Sequence, residues 1–134
     1  MFLNRLSNEQ KELFLDLCIH ASKSNNDFND EQKQTIDQYC DEMHIDIRYE
    51  EKNDLPFIAG RLTEISSEQD LRMILLETAA LLLSDNVYDS DEKKFFTALT
   101  DKLGLAKEQT DKVIGMLNEL AEVYSRINGF VFGE

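Results

Sequence analysis

The stretch Asn25-Asn26-Asp27-Phe28-Asn29-Asp30-Glu31-Gln32-Lys33 returns sixty residues later as Asp85-Asn86-Val87-Tyr88-Asp89-Ser90-Asp91-Glu92-Lys93. Beyond it Ile36 falls over Phe96, Tyr39 over Leu99, Asp41 over Asp101, and Met43-His44-Ile45 over Leu103-Gly104-Leu105. Self-similarity at a fixed offset marks two copies of one unit. The unit reads as a helix, a tight polar loop holding one aromatic, a capped helix and a helix stop. Phe28 and Tyr88 directly precede N-cap residues, so each is placed to pack on the helix it introduces as a hydrophobic staple.

Outward from these loops, caps and periodicity predict six helices. The first begins near Ser7, where Ser7-x-x-Gln10 is a capping box. It carries Leu13, Phe14, Leu17, Cys18 and Ala21 on one face and ends in Ser22-Lys23-Ser24-Asn25-Asn26. The second starts at Asn29, with Asn29-x-x-Gln32 as its box and Ile36, Tyr39, Cys40 and Met43 as its stripe. A short third helix covers about Asp54 to Ile65, with Pro56 in the tolerated first turn. The fourth, from Ser66 or Ser67 to Leu83, is apolar nearly all round and belongs at the centre of the bundle. The fifth starts at Asp89, boxed by Glu92, and stops at Gly104. The sixth runs from about Lys107 to Asn128 along Val113, Ile114, Leu117, Leu120, Ala121, Tyr124 and Ile127. No segment alternates at a period of two, so the fold class is all-α: a compact bundle of about six helices with an internal duplication, in one domain over residues 1–134.

Composition narrows the function. The chain has 134 residues and a net charge of −13, with 27 acids against 14 bases. The acids are spread through both halves, so the whole surface repels phosphate. Nucleic acid and anionic membrane are poor partners; divalent cations and basic protein surfaces are the ones such a surface attracts. The bland alternative is that the charge only keeps the protein soluble. The longest apolar run, Leu71 to Leu83, holds Arg72 and Glu77 and is too short to span a membrane. The first residues turn polar at once, without a signal-peptide pattern. Cys18 and Cys40 sit in helical stripes too far apart along a hairpin for a disulfide, and read as reduced core thiols. The expected location is the cytoplasm.

Ser84-Asp85-Asn86-x-Tyr88-Asp89-x-x-Glu92, followed by a helix closing on Leu103-Gly104-Leu105, resembles the TerB-like family, which includes tellurite-resistance proteins and the N-terminal domain of some DnaJ-type co-chaperones. The family pattern is Ala-Asp-Gly, a spacer, a hydrophobic residue, Ser or Asp, two spacers and Glu. Asn86 stands where the pattern has Gly; Asn still tolerates a left-handed turn. The first copy departs further, with Ser24-Asn25-Asn26 and Gln32. The resemblance spans roughly residues 7–127. It implies a compact helical domain in a stress or metal-tolerance setting, no established enzymatic reaction and, in some members, a divalent-cation site of loop acids.

Two readings of the loop acids stay open. Asp85, Asp89, Asp91 and Glu92 place four carboxylates within eight residues, which calcium or magnesium could use with carbonyls or water completing the shell. Asp27, Asp30 and Glu31 would join if both loops emerge on one side. Against this, Asp89 and Glu92 are N-cap and N3 of a capping box, and Asp91 is a first-turn acid favoured by the helix dipole. Capping survives in the first copy with amides, Asn29 and Gln32, where cation binding would weaken. An EF-hand fails outright: counted from Asp85, the third position is Val87 and the twelfth Phe96. Asp16-x-x-x-His20 and Asp41-x-x-His44 do not build a di-metal site. His44 reads as a helix end and His20 as a boundary side chain. No nucleophile–base pair or phosphate loop appears, so no enzyme is expected.

The tail Ile127-Asn128-Gly129-Phe130-Val131-Phe132-Gly133-Glu134 is expected to fold back on the core, or else to make a partner contact, a homodimer included. The leading expectation is therefore a non-enzymatic interaction domain with an optional cation and no required cofactor. Its rival is an assembly module acting through Phe130–Phe132 or through the acidic face Asp30, Asp37, Asp41.

Overall fold

A computed structural model describes residues 1–24, 28–84 and 88–133. It holds six helices: α1 (Asn8–Ser22), α2 (Asp30–Met43), α3 (Leu55–Ile65), α4 (Glu68–Leu82), α5 (Ser90–Lys102) and α6 (Lys107–Phe132), and no strand among the described residues. A helix start leaves backbone N–H groups without partners. In α1 to α5 a side-chain oxygen accepts one of them: Ser7, Asn29, Asp54, Ser67 and Asp89 serve Gln10, Gln32, Phe57, Asp70 and Glu92. In α6 Gln109 reaches back to the Ala106 amide.

The centre is shared by α1 and α4. Every residue from Leu13 to Ile19 is buried in α1, and Met73, Ile74, Leu75, Ala79, Leu81 and Leu82 are buried in α4. The central place expected for α4 is therefore half the answer. The α1 stripe left out Leu15, Asp16 and Ile19, because a polar residue in mid-run breaks the look of an all-round core helix. Phe14 and Phe96 are the bulkiest fully buried side chains, and Phe14 packs on the Tyr39 ring at 5.7 Å. A turn at Leu3–Arg5, absent from the six-helix expectation, tucks Leu3 and Leu6 into the same core, with the Leu3 amide donating to Glu42 at 2.8 Å.

Asp16 lies at the heart of α1 with no exposure, and the 48–53 loop is wrapped on it. Its carboxylate accepts from Arg48 at 2.6 Å, the Lys52 amide at 2.9 Å, and the Asn53 amide and side chain at 3.1 and 2.9 Å. Burial opposes its ionisation, but these donors outweigh burial and hold the carboxyl below its ordinary range. His20 sits one turn on and binds the Asn53 carbonyl at 2.8 Å through Nε2, as befits a boundary residue.

Residues sixty apart occupy matching places. The Lys23 and Leu83 amides close their helices on Ile19 and Ala79, and the Ser24 and Ser84 amides on Ala21 and Leu81. His44 and Gly104 both adopt left-handed conformations, with φ of 58° and 72°. Their amides donate to Asp41 and Asp101, and the next amides to Cys40 and Thr100. A glycine suits that conformation; a histidine is strained there.

Two outcomes are expected. His44→Gly should raise stability by about 0.5–1 kcal/mol, and Gly104→Ala should lower it by about 1 kcal/mol, both read from urea midpoints. Asp16→Asn should cost about 3 kcal/mol at pH 7 by leaving Arg48 without its buried partner. Because the folded carboxyl titrates low, its contribution is complete above the unfolded value of about 3.9 and is lost as acid protonates the folded form. The gap between Asp16→Asn and the parent should therefore close when melts at pH 7 are repeated near pH 2.

Candidate functional site

Gln32 and Glu92, the N3 residues of α2 and α5, are both fully buried and bonded to each other, Gln32 Nε2 donating to a Glu92 oxygen at 3.2 Å. The N3 residues of α1 and α4 also meet, Gln10 Nε2 donating to Asp70 at 3.1 Å. Both contacts join residues sixty apart.

This junction is where the cation site was expected. Asp85 and Asp27 lie outside the described residues. Asp89 accepts the Glu92 amide at 2.8 Å, and Glu92 reaches back to the Asp89 amide at 3.3 Å while holding Gln32. Asp91 stays exposed in the first turn of α5, and so do Asp30 and Glu31 in α2. Among the described residues no three His, Cys, Asp or Glu side chains are grouped to hold a metal ion. Phe28 and Tyr88 flank the junction, partly buried. Each is covered by the lysine five residues on, Lys33 at 5.4 Å and Lys93 at 5.7 Å from the ring centres. The expected staple is thus built with a lysine in the N4 place, its stem on the ring and its charge above it.

Other candidate groups are taken up by the fold. Cys18 and Cys40 are free and buried; desolvation pushes the Cys18 thiol well up and the Cys40 thiol to about 11, so neither is a ready nucleophile. In the acidic face of α2, Asp37 accepts the Tyr49 hydroxyl, while Asp30 and Asp41 are exposed.

The largest unpartnered surface is on α6. Helix six was expected to end near Asn128 and to bury its stripe; it continues to Phe132 and buries none of its residues. Val113, Ile114 and Leu117 pack partly on the core. Beyond Leu117 every residue to Phe132 is exposed except Gly129, which is half-buried. The tail does not fold back: Phe130 is 90% exposed, Phe132 71% and Val131 60%. A tail holding two glycines reads as a break, yet Gly129 is carried inside the helix, and only Gly133, with a φ of 73°, ends it. A groove beside α6 is lined by Ala80, Leu83, Tyr88, Leu117, Leu120 and Tyr124. No described helix is long and apolar enough to cross a membrane. No protein-family model, curated protein or solved structure matches the chain.

Gln32→Glu should set two carboxylates together inside the core. One must then keep a proton in the folded form that the unfolded chain releases above about pH 4.3. The expected result is a loss of about 2 kcal/mol or more at pH 7 that shrinks towards pH 4.5, read from urea melts at both values. A loss independent of pH would contradict the contact.

Proposed function

We propose that the chain is a non-enzymatic, acidic helical interaction domain of the TerB-like kind, acting in the cytoplasm, with the projecting half of α6 as its contact surface. The doubled order of its caps and helix stops supports the view that one helical unit was duplicated. The observation that carries the contact surface is the exposure of Leu120, Tyr124, Ile127, Phe130 and Val131 on one stretch of helix. Monomeric proteins rarely leave apolar patches above about 300–600 Å² open. A free helical segment of about 15 residues is also marginal in water unless its apolar face packs on something. Residues 118–132 form such a segment.

A non-enzymatic role fits how the reactive groups are spent. The thiols are buried, His20 is bound to a backbone carbonyl, and His44 closes a helix. The reading needs no cation, since Asp89 and Glu92 have structural duties at the α5 start.

A photoreactive amino acid in place of Tyr124 or Ile127 should give cross-linked adducts in expressing cells, whereas one in place of the exposed Lys94 on α5 should give none. Absence of adducts from both α6 positions would remove the proposal.

A further inference from the structure

We infer that the projecting half of α6 pairs with the same helix of a second copy of this chain, the two running antiparallel. The inference rests on α6 being the contact surface. Val113, Leu117, Leu120, Tyr124, Ile127 and Val131 are spaced 4, 3, 4, 3 and 4 residues apart. That is the a/d alternation of a helix–helix seam. The spacing is the same read backwards, so two antiparallel copies bring all six residues into layers. Leu120 faces Tyr124 of the second copy in the two central, open layers; in the outer layers Leu117 faces Ile127 and Val113 faces Val131, where Val113 and Leu117 are shared with their own core.

Area favours this occupant. Met116, Leu120, Val123, Tyr124, Ile127, Phe130 and Val131 are 47, 38, 39, 60, 50, 90 and 60% exposed. Together they leave on the order of 800 Å² open, an upper bound on the area paired because Val123 and Phe130 flank the seam, and of the size each partner buries in a stable complex. Charge favours it too. Between Val113 and Gly133 the only charged residues are Glu119, Glu122 and Arg126, a formal −1 on a chain of −13. At about 100° per residue these three fall opposite the seam. A nearly neutral face is what two copies of an acidic protein need in order to meet, and it gives a basic partner little to hold. Antiparallel pairing also sets the two acidic bodies at opposite ends of the paired helices, where their repulsion is weakest. It brings Ile127 of the second copy level with the groove lined by Ala80, Leu83, Tyr88 and Leu117.

Light scattering on the full chain should return twice 15.5 kDa. Leu120→Asp and Ile127→Asp, at exposed positions that leave the body folded by circular dichroism, should each return 15.5 kDa. Mild oxidation of a mixture of Leu120→Cys and Tyr124→Cys should give mainly the mixed disulfide dimer; Cys18 and Cys40 are buried and do not compete. A dominant disulfide between two Tyr124→Cys chains would overturn the antiparallel register. A mass of 15.5 kDa at every concentration up to about 0.5 mM would overturn the second copy altogether, as would a monomer that binds anionic phosphatidylserine vesicles. If that monomer still gave Tyr124 adducts of other masses in cells, the contact surface would stand with a different occupant. If it gave none, both would fall.

Discussion

Four helix starts meet in two pairs, α1 with α4 and α2 with α5, through the side chains of their N3 residues. Gln10, Asp70 and Glu92 each accept the amide of their own N-cap, and the N3 groups sixty apart join, Gln10 to Asp70 and Gln32 to Glu92; Gln32 departs from the expected capping box, its Oε1 finding no partner among the described residues. An unsatisfied buried donor costs about 1–3 kcal/mol, so these pairs restrict how the two halves can sit. The halves cannot slide past one another without breaking both contacts. The central packing of α1 against α4 follows from that register.

The same constraint explains where the acids go. On a chain of −13, carboxylates gathered near two loops invite a cation. Yet Asp89 and Glu92 face backbone amides at the positive end of a helix, an environment that already stabilises negative charge. The contact between α2 and α5 is also asymmetric in charge: the Gln32 amide faces the Glu92 carboxylate. Two carboxylates there would repel, and two amides would give up a charge-assisted bond. An amide at Gln32 thus suits the packing with Glu92. Asp16 follows the same logic on α1, where one buried carboxylate organises Arg48, Lys52 and Asn53 into a loop that would otherwise have no core of its own.

What could be read from the residues was local. Caps, stripes and stops depend on neighbours within four positions, so Ser7, Asn29, Asp54, Ser67 and Asp89 announce the helix starts, and His44 is recognisable as a stop through its counterpart Gly104. The buried thiols followed from their place in apolar stripes. What was hidden depends on distant partners. Asp16 reads as a break in a core stripe until Arg48 arrives from a loop thirty-two residues on. Leu3 and Leu6 lie in a polar-looking stretch, and the Leu3 amide is held by Glu42 from thirty-nine residues on. The meeting of Gln32 with Glu92 needs the relation between the two halves, which periodicity alone does not supply.

The failure at α6 is of another kind. Its stripe is as regular as those of α2 and α5, and periodicity says that a face is apolar without saying what covers it. In α2 and α5 the cover is the chain's own core. In α6 the partly buried stripe ends at Leu117, and beyond it Leu120 and Tyr124 only line an open groove with Ala80, Leu83 and Tyr88. Continuing the helix through Gly129 gives up propensity of about 1 kcal/mol relative to alanine, and it carries Phe130 and Val131 farther into solvent. Neither feature lowers the free energy of a lone chain. Both become favourable once a second apolar face lies alongside, which is the physical ground for the proposed pairing.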